Sequence, residues 1–242
     1  MASLSSAPAL CASRSLPSRR TGAREQGAQR RLAASRLLAS LQRGVSGSRS
    51  ATRDRAAAAR ELAEELKQSG PLPGLAVLDL DHTLFRCYLD CDSCGPPYSR
   101  VGEDAVRDRN GSIVALYPES RLVCEALRGA GVRLAVASRS PVEGWYRRAL
   151  ELLELREWMQ PCFIHGGGEI GYPGTKLGHF LNITKATGVE FCDMVFMDDE
   201  YGNIEDMEAE GVTSQYVART GVTVDAMREL VGKWQQRQQQ QR

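Results

Sequence analysis

Three apolar runs of the chain end in side chains whose types and spacing could act on a phosphate group. These side chains are the acids Asp79, Asp81, Asp198 and Asp199, the hydroxyl of Ser138 and the cation Arg139. One further cation, Lys176, stands before a predicted helix. Clustered carboxylates repel one another unless a cation holds them. A hard cation such as Mg²⁺ supplies that charge, because it takes oxygen ligands and keeps waters for a substrate phosphate. The pattern therefore predicts Mg²⁺-assisted chemistry at a phosphate.

Each of these residue types has its own expected task. Asp79, at the end of the run "LAVLD", can point a carboxylate oxygen at both a metal ion and an incoming phosphorus. Asp81 stands two residues on and faces the same cleft as an acid or base. Ser138 and Lys176 would bind the remaining phosphate oxygens and neutralise charge in the transition state. The simpler alternative is that acids at strand ends only cap the following helices, but three such ends favour a site.

The elements that must position these residues are short strands alternating with helices. The predicted strands are 75–80, 132–137, 162–164, 194–197 and 214–217. Helical patterns between them predict an α/β, doubly wound fold, with a parallel sheet of about five strands covered on both faces. In such sheets ligands bind beyond the carboxyl ends of the strands. The acids follow those ends.

The segment after the first strand is short. Only 33 residues separate Phe85 from Glu119. That length is enough for a flap insert but not for a large cap domain. We therefore expect an open site that admits bulky or protein-bound phosphates.

The motifs resemble those of the haloacid dehalogenase superfamily. "DLDHTLF" matches the first motif, D-x-D-x-T-[LV], while Ser138, Lys176 and the "DD" pair match the second, third and fourth. The closer resemblance is to the magnesium-dependent phosphatase branch, and it runs over residues 72–230. "VRDRNGSIVALYPE", "EIGYPGTK" and "MVFMDDEYGNI" are similar to that branch in order and spacing.

That resemblance implies a phosphomonoesterase with an aspartyl-phosphate intermediate and Mg²⁺ as its cofactor. It implies that Asp79 is the nucleophile and that Asp81 is the general acid and base. The implied metal ligands are Asp79, the backbone carbonyl of Asp81, and Asp199, with Asp198 close by. The implied substrate-binding residues are Leu80, Tyr88, Ser138, Arg139 and Lys176. Members of this branch lack a large cap and act on phosphotyrosine or on sugar phosphates, including phosphorylated fructosamines.

Two other function classes stay open at this point. A receiver-like module binds or accepts phosphate without turnover, and it also places acids, a hydroxyl and a lysine around Mg²⁺. Such a module needs no second acid like Asp81, whereas hydrolysis does. A phosphotransferase that passes the phosphoryl group to another sugar usually needs a cap that excludes water. The hydrolase is favoured, as a monomer whose partner is a phosphorylated small molecule or a phosphoprotein.

Of the three histidines, His165 and His179 have no evident partners in the sequence. His82 stands where the branch commonly has Tyr, next to the acids. Its charge could tune their pKa values near neutral pH, or its ring could pack or face solvent, which is the favoured interpretation. His165 and His179 are interpreted as structural.

Three cysteines of the flap, Cys87, Cys91 and Cys94, form a C-x3-C-x2-C pattern. A structural zinc ion usually needs four ligands, so Asp90, Asp92 or a more distant residue would have to complete the site. A redox disulfide is a second interpretation. Reduced, inert thiols are the default for an organellar matrix.

The N-terminal residues have the composition of an organellar transit peptide, which is predicted to be disordered over residues 1–53. Residues 1–60 hold twelve Arg, no Lys and two acids, so they carry +10 and the overall +1 leaves −9 for the rest. An N terminus rich in Arg and Ser and poor in acids is typical of such leaders. The opening "MAS" followed by Ser and Pro favours a plastid, with the mitochondrion second.

Other interpretations of the basic N terminus are less favoured. A basic arm could bind nucleic acid or anionic lipid, but the segment lacks aromatics to stack on bases. No apolar run approaches the roughly 18 to 20 residues that span a bilayer. We therefore expect neither a nucleic-acid nor a membrane partner. After the leader, 54–73 is predicted as a linker helix, 74–234 as the phosphatase domain and 235–242 as a frayed, polar, Gln-rich tail.

Overall fold

The computed structural model describes residues 49–164 and 174–240. The greater part of the predicted leader, 1–48, and His165 lie outside the described residues. The helices and strands, in chain order, are α1 (Arg49–Ser69), β1 (Leu75–Leu78), α2 (Leu89–Asp92), β2 (Ser99–Arg100), β3 (Ala105–Arg107), β4 (Ile113–Ala115), α3 (Ser120–Gly129), β5 (Arg133–Ser138), α4 (Glu143–Leu152), β6 (Met159–Ile164), α5 (Leu177–Thr187), β7 (Met194–Asp198), α6 (Tyr201–Ala209), β8 (Thr213–Tyr216) and α7 (Val224–Gln240).

Five parallel strands form the central sheet in the order β6-β5-β1-β7-β8. This confirms the predicted doubly wound α/β fold and its strand number. The chain runs outward from β1 through β5 and β6, then returns to β7 and β8 on the other side. The strand order therefore switches direction at β1, and open α/β sheets bind their ligands at such a switch point.

The central strand is buried on both faces because helices cover the sheet from either side. Ala76 and Leu78 belong to the core beneath α1, α3, α4 and α7. Leu75 and Val77 alternate to the opposite face and pack with residues of α5 and α6. Successive side chains of a strand point to opposite faces. An uninterrupted apolar run such as "LAVL" is thus what a doubly covered parallel strand requires.

The insert between β1 and α3 is a flap built from α2 and a small antiparallel sheet, β2-β3-β4. Asp108 fixes the hairpin turn of this sheet by accepting backbone hydrogen bonds from Cys94 at 2.7 Å and Ser112 at 2.8 Å. The expectation of a flap without a large cap domain is confirmed for the described ranges. The strands of the flap sheet were not predicted, because two or three residues are too few to show a period of two.

Helix α1 packs on the domain through one apolar stripe. The stripe follows helical spacing and consists of the buried residues Ala59, Leu62, Ala63 and Leu66. Ala63 lies against α3, where a Cβ added at Gly129 would meet its methyl group at 3.1 Å. This helix is therefore part of the folded domain rather than a linker.

The N-terminal boundary of the folded part differs from the predicted one. Helix α1 begins at Arg49, inside the segment assigned to the leader, and ends at Ser69. Thr52 donates a hydrogen bond to Glu103 of the flap at 2.6 Å. The buried Arg55 forms ion pairs with Glu103 and Glu125. A chain that starts near Arg55 would lose the first of these contacts, so the boundary belongs at residue 49.

The C-terminal segment is also better ordered than expected. A frayed tail from residue 235 is wrong for residues 235–240, because α7 continues to Gln240. Gln235 donates to the carbonyl of Pro71, and Gln238 to that of Cys192, each at 2.9 Å. Across the described ranges, every helix is too short or too polar to cross a bilayer.

Candidate active site

The loop after β1 separates the two acids of the first motif. The Asp79 amide still donates to the carbonyl of Met197 at 3.1 Å, so this residue continues the strand. The carbonyl of Leu80 then accepts amide hydrogen bonds from Leu84 at 3.0 Å and Phe85 at 2.9 Å. His82 has φ of 49°, a left-handed conformation in which His is enriched among non-glycine residues. The chain therefore turns sharply, and Asp81 lies on the turn rather than on the strand.

Lys176 joins the ends of three strands. It is 2% exposed, and its Nζ lies 2.6 Å from Oδ1 of Asp79 and 2.6 Å from Oδ2 of Asp198. The carbonyl of Ala137, on β5, accepts a third hydrogen bond at 2.8 Å. Burial alone would lower the pKa of Lys176, but the two carboxylates raise it above its ordinary value. The ammonium group is thus a fixed positive charge at the centre of the site.

Asn203 also holds Asp198, at the end of β7. Its side-chain amide lies on the first turn of α6 and donates to both carboxylate oxygens of Asp198, at 3.0 and 3.1 Å. The Glu200 amide adds a third donor at 2.7 Å. Asp198 is fully buried, and a buried carboxylate is tolerated where donors surround it in this way. Asn203 was missed in the sequence because nothing local marks it as a partner of the acid pair.

Asp79, Asp198 and Asp199 each offer a carboxylate oxygen, and these atoms lie within 4.8 Å of one another. Burial raises the pKa of Asp199 to about 7, and the charges of Asp198 and Glu200 add to the effect. Burial likewise raises the pKa of Asp79 well above its ordinary value, against the opposing charge of Lys176. Three carboxyl groups so close together are costly to ionise without a cation, and carboxylate oxygen is a ligand that Mg²⁺ prefers. The group fits Mg²⁺.

The carboxylate of Asp81 does not belong to this group of three. Its Oδ1 accepts hydrogen bonds from the hydroxyl of Tyr146, on α4, and from the Leu89 amide at 3.0 Å. Burial raises the pKa of Asp81 above its ordinary value, although both donors oppose this. A side chain held away from the other carboxylates suits proton transfer. Its implied contact with the metal, through the backbone carbonyl, stays a prediction.

The predicted phosphate-binding residues lie around the same acids. Ser138 ends β5, is 1% exposed and has its carbonyl fixed by Nε2 of His179 at 2.9 Å, which fits the structural role predicted for His179. Arg139 donates to the carbonyl of Gly174 at 2.6 Å and forms an ion pair with Glu200. Glu200, which the sequence did not single out, thus holds the arginine at the edge of the site.

A cleft of about 190 Å³ joins these groups, and Asp79, Asp81, Ser138, Arg139, Lys176, Asp198 and Asp199 all line it. Tyr88 lines it too and is 44% exposed, with its ring 4.3 Å from that of His82 between centroids. His82 therefore packs, as favoured. The side chain of Leu80 is fully buried in the core, so only the backbone of this residue could contact a substrate.

The flap cysteines do not form a metal cluster within the described part of the chain, where the three carboxylates are the only group of at least three suitable side chains. Cys87, Cys91 and Cys94 are free thiols. Burial raises the pKa of Cys87 to about 12, and the charge of Asp90 raises that of Cys91. These shifts of Cys87 and Cys91 disfavour the thiolate form, and the interpretation of inert cysteines stays a prediction.

Comparison with known proteins decides the family. The family model described as Acid Phosphatase matches residues 71–237. Over 147 residues the chain is 43% identical to "Magnesium-dependent phosphatase 1" of Homo sapiens, covering 60% of this chain and 78% of that protein. The chain belongs to the magnesium-dependent phosphatases of the haloacid dehalogenase superfamily. Over 144 residues it is also 31% identical to a "HAD-like hydrolase superfamily protein" of Schizosaccharomyces pombe, covering 58% of this chain and 83% of that protein.

Membership of this phosphatase family resolves the alternatives left open by the residues. The chain is a magnesium-dependent phosphatase, and Mg²⁺ is its cofactor. A module without turnover, or a phosphotransferase, is therefore not retained. The matched range begins at residue 71, so α1 lies wholly outside it. That helix is nevertheless packed on the phosphatase domain.

Proposed function

We propose that this phosphatase hydrolyses phosphomonoesters through a phosphoryl group carried covalently on Asp79. The observation that carries the proposal is the position of this carboxylate. It ends the central strand and lines the cleft, and one of its oxygens is held by Lys176. The other oxygen is left for attack, at the strand end where ligands of this fold bind.

In the first step, the free oxygen of Asp79 forms a bond to phosphorus as the bond from phosphorus to the leaving oxygen breaks. Asp81 gives its proton to that leaving oxygen, which departs as an alcohol. Lys176 and Ser138 stabilise the charge on the remaining phosphate oxygens. Mg²⁺ held by Asp79, Asp198 and Asp199 would neutralise part of the charge between nucleophile and phosphate.

In the second step, Asp81 acts as a base. It takes a proton from water while the water oxygen forms a bond to phosphorus. The bond between phosphorus and Asp79 then breaks, so the carboxylate is regenerated and inorganic phosphate leaves. Asp81 thus serves both steps, first as an acid and then as a base.

The substrates proposed are phosphotyrosine and the phosphates of sugars or fructosamines. Three exposed tyrosines support an aromatic or bulky substrate, since aromatic rings present a large apolar face with little conformational freedom to lose. Tyr88 lines the cleft. Tyr201 follows the acid segment and is 62% exposed, with its ring 6.0 Å from that of Tyr216. A flap without a large cap leaves room for a protein-bound phosphate.

The test of the mechanism separates the two acids. Each variant is incubated with an activated aryl phosphate, quenched in acid and analysed for phosphate on the peptide that contains Asp79. Asp79→Asn should show no turnover and no phosphoenzyme, because an amide is a poor nucleophile. Asp81→Asn should lose about 10²- to 10⁴-fold in turnover and accumulate phosphoenzyme, because its second step lacks a base.

The matched control is Asp206→Asn, which changes an exposed acid of α6 and should keep full activity. A labelled peptide from Asp79→Asn, or unchanged turnover in Asp81→Asn, would refute the assignment. The substrate is tested separately, by comparing kcat/KM on phosphotyrosine peptides with a panel of sugar and fructosamine phosphates. Equal rates on all of them would contradict a dedicated aromatic or sugar specificity.

We also propose that the enzyme acts in the plastid after its leader is removed, with the mitochondrion as second choice. The support is the composition of the N-terminal residues, with twelve Arg and two acids among the first sixty. Residues 1–48 fused to a fluorescent protein should direct it to plastids of plant cells. A fusion with these arginines changed to glutamine is the control. Cytosolic fluorescence, or an intact N terminus on the isolated enzyme, would contradict the proposal.

A further inference from the structure

The carboxylate of Asp81 is held asymmetrically. The hydroxyl of Tyr146 and the amide of Leu89 both donate to the same oxygen, Oδ1. In the described part of the chain these are the two hydrogen bonds that the side chain of Asp81 accepts. The second oxygen, Oδ2, accepts none of them. Its two oxygens are therefore not equivalent, although Asp81 is partly exposed to the cleft.

Tyr146 is fixed in place for this contact. It is fully buried, one turn into α4. Its ring packs edge-on against Phe85, with 5.3 Å between centroids and an interplanar angle of 63°. Phe85 belongs to the loop that begins at Leu80, so the same loop that carries Asp81 also anchors the ring of its partner. A hydroxyl so placed has little freedom to leave the carboxylate.

This asymmetry determines which oxygen can carry a proton. An oxygen that already accepts two hydrogen bonds is a poor site for a third hydrogen. In the neutral acid the proton therefore belongs on Oδ2. In the carboxylate form, the two donors occupy Oδ1, so that Oδ2 is the oxygen left for the substrate or for water.

We propose that Tyr146 is a positioning residue which, with the Leu89 amide, reserves Oδ2 of Asp81 for proton transfer to the leaving oxygen and from water. The proposal rests on the proposed function, in which Asp81 is the general acid and base. Tyr146 is buried and is not among the residues that line the cleft. It acts by restricting the carboxylate to one orientation.

The experiment is Tyr146→Phe, which keeps the ring and its packing on Phe85 and removes only the hydroxyl. The matched control is Tyr98→Phe, which removes another buried tyrosine hydroxyl, one that lies 3.2 Å from Ser93 Oγ in the flap. The rate of phosphoenzyme formation is measured in the burst phase with a series of aryl phosphates whose leaving groups range from activated to unactivated.

A hydrogen bond to a charged group contributes enough for about a 10- to 100-fold change in rate. Tyr146→Phe should show a loss of this size with unactivated phenyl phosphate and little change with the most activated ester, whose leaving group needs no proton. Tyr98→Phe should match the wild type across the series. The comparison between leaving groups is made on one preparation, so it does not depend on how much of the variant is folded.

An equal loss for every leaving group would assign Tyr146 a purely structural role and overturn the proposal. No loss for any leaving group would overturn it as well. The wild-type enzyme is the internal check on the mechanism itself. If the wild type forms no phosphoenzyme on Asp79, the proposed function fails and this proposal with it. If the wild type forms the phosphoenzyme but the loss of rate in Tyr146→Phe does not depend on the leaving group, only the role of Tyr146 fails.

Discussion

Replacement of Lys176 by Met should destabilise the metal-free enzyme by about 3 to 5 kcal/mol, the cost of leaving a buried charge without its partner. The structure supports this size. Lys176 makes charged hydrogen bonds of 2.6 Å to both Asp79 and Asp198, each contributing about 1.5 to 3 kcal/mol. Methionine has a similar length and is apolar, so it fills the space without replacing the charge. What remains is two buried carboxylates facing each other.

The loss of stability should depend on pH with a defined sign. Burial already raises the folded-state pKa of Asp79, and Lys176 opposes that rise. Without the lysine the folded-state pKa rises further above the unfolded value. Such a group costs stability in full above its folded pKa, and the cost shrinks as the pH falls below that value and is gone below the unfolded pKa. The deficit of the variant should therefore be largest at alkaline pH and shrink as the solution is made acidic.

The assay is denaturation by guanidinium chloride in a chelator and again in excess Mg²⁺. Mg²⁺ should offset part of the deficit, because it restores positive charge beside the carboxylates. The matched control is Lys185→Met, which removes an exposed lysine from the same helix, α5; it should change stability by less than about 0.5 kcal/mol. Equal stability of Lys176→Met and the wild type in chelator, or a deficit that grows as the pH falls, would contradict this prediction.

Three further outcomes are expected. Mg²⁺ affinity measured by calorimetry should fall about tenfold for each pH unit below the pKa of Asp199, which is about 7, because a proton there competes with the metal; a constant affinity would contradict this. A chain starting at Arg49 should melt at the same temperature as the full-length enzyme. A chain starting at Gly70 lacks the buried stripe of α1, so its free energy of unfolding should be lower by more than about 3 kcal/mol. Equal melting temperatures of the two shortened chains would count against the packing role of α1. Gly221→Ala should lower the melting temperature by the equivalent of about 1 to 3 kcal/mol, because this glycine has φ of +64° and an added Cβ would collide with the ring of Tyr117; an unchanged melting temperature would refute that collision.

The sequence alone predicts that Asp79, Ser138 and Asp198 lie close together at one edge of the sheet. Each follows an apolar run, and the alternation of runs with helical patterns predicts parallel strands. The carboxyl ends of parallel strands must share one edge of the sheet, whatever the connecting loops do. The sequence motif also marked Lys176, which stands immediately before α5. These placements depend on chain order and on the period of the apolar pattern, and both can be read directly.

The partners of those residues were decided only by the tertiary structure. Tyr146 binds an acid that lies 65 residues away along the chain, and its spacing on α4 is that of an ordinary core residue. Whether its hydroxyl meets Asp81 depends on the rotation of α4 against the loop after β1. Arg55 likewise selects Glu103 and Glu125 from among many exposed acids only because α1 lies across α3 and the flap.

At both ends of the folded part, the sequence predicted the approximate boundary and the tertiary contacts determined the actual one. The charge and composition of the chain placed the change from leader to domain near residue 53, but the first contacts of α1 moved it to residue 49. The Gln-rich end contains no apolar pattern, so its sequence predicts fraying. It is helical because Gln235 and Gln238 reach carbonyl groups of Pro71 and Cys192. Composition and periodicity act locally and can be read from the chain, whereas a hydrogen-bond partner distant in sequence exists only once packing has brought the two groups together.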